Sequence, residues 1–207
     1  MFSRYVPMLY SITAYFAVFI SFQSEVLINL FTDERFESTI PVLTILAFYS
    51  IHQVYGQIGG GLLYASNQVK LLRNINIVGS AIGIVTTVIF VYILDTEASV
   101  GFATKMLVWQ FLHVNIMLYF NSKFLHMSFF KYLYHQIYVI ILFVALAYFS
   151  TLITYVDSVI YNFLITGAIY TALVALFSYW FPVIFATTRD EINKQYNFFK
   201  GKINGKN

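Results

Sequence analysis

The sequence predicts an all-α fold, a polytopic membrane bundle of six transmembrane helices, and three observations carry that prediction. Long apolar segments occupy residues 5–30, 41–64, 74–94, 100–121, 133–155 and 160–182. Each is near or above the ~20 residues that cross a ~30 Å hydrocarbon core. The loops between them alternate in charge. Arg4, Lys70, Arg73, Lys123, Lys131, Arg189, Lys194, Lys200, Lys202 and Lys206, ten of the twelve Lys and Arg, fall on one side. The other side receives Arg35 alone, among Asp33, Glu34 and Glu37, then Asp95, Glu97 and Asp157, and Lys105 lies inside a segment. Basic loops stay in the cytoplasm, so both termini are predicted to be cytoplasmic. Composition is the third observation: 59% hydrophobic and 10% charged residues are too apolar for an ordinary soluble domain.

The predicted organisation is a six-helix transmembrane region over residues 1–182 and a basic cytoplasmic tail over residues 183–207. Several tyrosines, among them Tyr5, Tyr92, Tyr132, Tyr134 and Tyr155, sit at segment ends where an interfacial ring is favoured. The net charge of +3 is explained by topology and implies no nucleic-acid partner. Cysteine is absent, which excludes disulfides and thiolate metal sites. The first segment is too long and too aromatic for a signal-peptide core, and no small-residue cleavage site follows it. The connecting loops are short, so no soluble catalytic domain is expected between helices. In the tail, Ile192, Tyr196 and Phe199 are spaced for a short helix on anionic lipid. A disordered basic stop signal is the alternative.

Polar residues inside the segments mark the candidate site. In the second, Pro41 suits a first helical turn. Ser50, Gln53, Gln57, Gly60 and Gly61 share one sector, while His52 lies on the other side near Gly59. Glutamines at that depth are expensive unless they face another helix or a watery cavity. Gln53 and Gln57 therefore either glue helices together or line a hydrophilic path. Gly56 and Gly60 in this segment, and Gly79 and Gly83 in the third, are predicted to let neighbouring backbones approach closely. The fourth segment carries Lys105, Trp109 and His113 at i, i+4 and i+8, with Gln110 beside His113. Lys105 either snorkels to the headgroups or faces a cavity, and His113 is either a packing residue or a lining one. Glu25 is expected near the outer interface. No metal-ligand spacing, phosphate loop or nucleophile–base pair is present, so no catalytic residue, metal or cofactor is expected, and the chain is not predicted to be an enzyme.

The order of these features resembles a known family. Leu30–Phe36 ends a helix, Pro41 opens the next, and that helix closes on Gly59–Lys70. A helix with Gly79 and Gly83 follows, and then Gly101–Met106. From about Tyr5 to Phe124 this is similar to the C-terminal part of the polysaccharide (O-antigen) flippases of the multidrug/oligosaccharidyl-lipid/polysaccharide exporter superfamily. The resemblance implies two helical lobes around a central cavity, of which this chain would supply part of the second. It implies a polyprenyl-linked oligosaccharide as substrate and the cytoplasmic (inner) membrane of a bacterium as location. A chain carrying the first lobe would be the partner, and the six helices would be inactive alone. The substrate path would then include Gln53, Gln57, Lys105 and His113. Two other classes remain open: a fragment of a cation-coupled multidrug-type exporter, which would need an intramembrane acid, and a structural remnant without transport. Reporter fusions after Lys70 and after Asp95 are expected to report opposite compartments. Finding both on one side would defeat the span assignment.

Overall fold

The computed structural model describes residues 2–93, 97–155 and 157–188, so Asp95 and the proposed tail helix at Ile192, Tyr196 and Phe199 lie outside the described residues. The described residues contain no strand. The helices are α1 (Phe2–Phe22), α2 (Ser24–Phe31), α3 (Ile40–Ala65), α4 (Val69–Val88), α5 (Ala98–Phe124), α6 (Phe129–Ile153) and α7 (Val159–Trp180). A 3-10 turn, Glu34–Thr39, leads into α3, a π turn, Ile89–Ile93, extends α4, and a second 3-10 turn, Pro182–Phe185, follows α7.

Four of these helices are long and apolar enough to cross a membrane: α1 from Arg4, α4 with its π turn, α6 and α7. At 26 and 27 residues, α3 and α5 have the length. Their polar content sets them apart, because His52, Gln53 and Gln57 dilute α3 and Lys105, Gln110, His113, Asn115 and Asn121 dilute α5. These two helices occupy the middle of the bundle. α3 packs most extensively on α5 and then on α1, α6 covers α1, and α4 lies along α5. The core they share includes Tyr10, Ile51, Tyr55, Val114, Leu118 and Phe143, each essentially inaccessible. α4 and α7 form the flanks and turn most of their apolar surface outward, the arrangement expected where lipid tails and not water are the neighbour.

The first apolar segment differs from expectation. It is not one helix: the chain leaves helical geometry at Gln23 (φ −106°, ψ 14°) and restarts as the short α2. The cause is a set of hydroxyls that fasten both sides of the interruption to α3. Ser21 Oγ donates to the Thr44 carbonyl at 3.0 Å, and the Ser24 and Thr44 hydroxyls lie 2.7 Å apart. Glu25 falls in the first turn of α2, exposed, where a carboxylate complements the helix dipole. α4 starts earlier than expected, directly after a tight turn in which Asn67 adopts the left-handed conformation (φ 60°). Lys70 and Arg73 therefore belong to its first turns and not to a loop.

At the start of the expected tail, the turn Pro182–Phe185 folds back against the bundle and Ile184 is fully buried. Its carbonyl accepts hydrogen bonds from Ser11 Oγ on α1 and His135 Nε2 on α6. Phe185 meets Phe143 at 6.2 Å between ring centroids. Higher up, α7 reaches α1 through rings: Tyr15 stacks on Tyr170 at 5.2 Å, and the ring of Phe19 sits over Gly167. Truncating Ile184 empties a closed site, so Ile184→Ala is expected to cost about 2–4 kcal/mol in a thermal or denaturant melt of the detergent-solubilised chain. A loss below about 0.5 kcal/mol would show that the turn is not docked.

Candidate functional site

Two sequence stripes meet across the antiparallel α4–α5 seam. Gly79 and Gly83, one turn apart on α4, face Trp109 and Lys105, one turn apart on α5. A Cβ at Gly79 would stand 2.5 Å from Trp109 Cζ2, so only glycine admits the indole there. At Gly83 the nearest atoms are Lys105 Nζ and Cε, at 3.8 and 3.9 Å, which is ordinary contact. One turn further along α5, His113 Nε2 donates to Asn76 Oδ1 at 3.1 Å and stacks on Trp109 at 5.5 Å. The seam therefore pairs Lys105, Trp109 and His113 with Gly83, Gly79 and Asn76 in order.

The α3–α5 seam also depends on glycine. Gly56 lies against Val114 and Gln110, whose nearest atoms are 3.1 and 3.3 Å from an added Cβ. Gly59 is tighter: Asn121 Nδ2 is 2.8 Å from that position and donates to the Gly59 carbonyl at 3.1 Å. Gly60, expected to pack a neighbour, meets nothing within 4 Å. The difference is one of phase. Gly56 and Gly59 turn toward α5, while Gly60 and Gly61 turn toward the opening between α3 and α4.

That opening is a groove. A recess of about 380 Å³ is walled by Gln53 and Gln57 of α3, Asn76 of α4, and Gln110 and His113 of α5. A second recess, about 370 Å³, continues along the α4–α5 seam past Ser80 and Trp109 to Lys105 and Thr87. A third, about 500 Å³, runs the other way to Arg73 and Tyr64 between more apolar walls. Asn76 lines all three, so the recesses adjoin one another along α4 and are together called the groove. Of the four site residues expected from sequence, Gln53, Gln57 and His113 line one recess, and His113 and Lys105 line the adjoining one. Asn76 and Arg73 were not singled out by sequence. The signal was present, since Asn76, Ser80, Gly83 and Thr87 recur at i, i+4, i+7 and i+11 and mark a polar face of α4.

Other polar groups within the bundle serve packing. Gln136 of α6 donates to Asn115 Oδ1 of α5 at 3.1 Å, and Asn115 donates to the Phe111 carbonyl at 2.8 Å. His52 is buried on the far side of α3 against Tyr10 and Phe111, at 5.9 and 5.1 Å between ring centroids. Among the described residues, no group of His, Asp or Glu could hold a metal ion.

No family model, no curated protein and no solved structure matches the chain. The site must therefore be read from its own geometry.

Glycine substitutions separate the seam from the groove. Gly79→Val is expected to drive Trp109 out of place, lowering thermal stability and shifting indole fluorescence in a Trp180→Phe background. Gly60→Ala, with open space around it, should instead stabilise α3 by about 0.5–1 kcal/mol through helix propensity. Equal effects at the two positions would contradict the assignment of seam and groove.

Proposed function

We propose that the chain is part of a membrane transporter that moves a lipid-linked oligosaccharide across the cytoplasmic membrane for surface polysaccharide synthesis. The observation that carries this reading is the groove. In an otherwise apolar bundle, amides from three helices and an indole–imidazole stack converge on one depression. Amide groups and flat aromatic faces suit a polyhydroxylated headgroup, and a groove open along its length lets a polyprenyl tail stay in lipid. The sequence resemblance points to the same substrate class.

In this reading α3 and α5 are the fifth and sixth spans, α5 turning Phe102, Val108, Leu112, Ile116 and Tyr119 to lipid, and both termini are cytoplasmic. The short α2 and the turn Glu34–Thr39 lie at the outer surface. The chain supplies part of the second lobe, and a chain carrying the first completes the passage. A cation-coupled exporter is less favoured on a specific observation: no carboxylate lines the described recesses, and Glu25 is exposed on α2.

The test is complementation of a strain lacking its own flippase. Co-expression with a chain carrying the first lobe is expected to restore surface polysaccharide. Gln57→Leu and His113→Leu should reduce that restoration severalfold while membrane insertion is unchanged. Restoration by this chain alone would mean that one lobe suffices. Failure in both arms, with both chains inserted, would remove the transport reading.

A further inference from the structure

The groove has a cation toward each end and no acid. Arg73 lines the recess at the start of α4, and Lys105 lines the recess at the other end. Neither forms an ion pair among the described residues. Lys105 Nζ lies 5.1 Å from the Phe102 ring centroid, and Arg73 is exposed. At about 1.5 Å rise per residue, the ten residues from Arg73 to Gly83, which faces Lys105, place the two cations about 15 Å apart along α4. That is about half of a ~30 Å hydrocarbon core.

Asn76 sits between them, one turn from Arg73 on the same face of α4. Its Oδ1 is held by His113 Nε2, which commits the carbonyl end and leaves the NH2 end as a donor. Ser80 and Thr87 donate their hydroxyls to the carbonyls of Asn76 and Gly83, so they offer the groove only lone pairs. The strongest anion-binding set is therefore Arg73 with the Asn76 amide, followed by Lys105. An Arg guanidinium beside an amide donor suits a phosphate oxygen. The walls around Arg73 are Val69, Leu72 and Ile77, which suit an alkyl or prenyl chain and not a free ion.

We propose that the groove binds the phosphate of an anionic amphiphile, with Arg73 and Asn76 as the first station and Lys105 as a second. The tail would lie along Val69, Leu72 and Ile77. This rests on the transport reading above for its direction of movement, but the binding claim stands on the groove alone.

The experiment uses the full chain in phosphatidylcholine nanodiscs, titrated with a fluorescent polyprenyl phosphate. Saturable binding is expected, weakened about tenfold by Arg73→Gln and severalfold by Lys105→Gln. Lys70→Gln, a neighbouring cation outside the groove, should leave binding unchanged. Asn76→Asp keeps an oxygen for His113 but places a carboxylate at the station, and it should abolish binding. Thermal melts identify any variant that fails to fold, and Arg73→Lys, which keeps the charge, should retain part of the affinity. Equal binding of the uncharged polyprenol would overturn the proposal, as would equal losses for Arg73→Gln and Lys70→Gln. Full competition by inorganic phosphate would overturn the amphiphile and leave a free-anion site. Phosphatidylglycerol binding as tightly, with the same Arg73 dependence, would support the station while removing support for a lipid-linked oligosaccharide.

Discussion

Polar groups are costly at the depth of a hydrocarbon core unless they find partners, and much of this structure follows from that constraint. Two of its long helices, α3 and α5, carry more amides and imidazoles than a lipid-facing helix can tolerate. They are placed in the middle and matched to each other. Asn121 gives its amide to the Gly59 carbonyl, and Asn115 pairs with Gln136 of α6. α1, α4, α6 and α7 are the more apolar helices, and α1, α4 and α6 pack against this pair. Other polar side chains, Gln53, Gln57, Gln110 and His113, line the recesses beside α4.

Much of this was legible in the sequence, and particular residues show why. The glycine spacing on α4 and the Lys105, Trp109, His113 stripe on α5 are each visible by helical periodicity. Their partnership is not, because it depends on the register of two antiparallel helices, which pairs the side chain at Lys105 with Gly83 and at Trp109 with Gly79. Which of the neighbouring glycines of α3 packs against α5 is hidden for a similar reason. Gly59 and Gly60 are adjacent and chemically identical, yet their Cα positions point about 100° apart. Only the neighbour decides which one packs.

The break at Gln23 and the turn after α7 have a different cause. The sequence around the break is polar, with Ser21, Gln23, Ser24 and Glu25, but polarity alone does not fix where a helix is interrupted. The interruption depends on Thr44, twenty residues away, which holds Ser24 through its hydroxyl and Ser21 through its carbonyl. The turn at Pro182–Phe185 is likewise fixed from afar, by Ser11 and His135 on the Ile184 carbonyl. Non-local hydrogen bonds of this kind leave no periodic trace. They also tie the end of α7 to α1 and α6, which gives a helix with little buried surface its anchorage at one end, while the Tyr15–Tyr170 stack provides another.

The open glycines act on the groove and not on a helix seam. Gly60 and Gly61 weaken α3 by helix propensity and pack against nothing, so packing does not explain their presence. Their effect is on width. Larger side chains there would project from α3 toward Leu72 and Asn76 and narrow the recess that Gln53, Gln57 and His113 also line. Glycine on the open side thus does for the groove what glycine at positions 56 and 59 does for the α5 seam, with the space left to a ligand and not to a neighbouring helix. A helix that spends four glycines within six residues, two on each purpose, sets both how closely α5 approaches and how wide the path beside α4 remains.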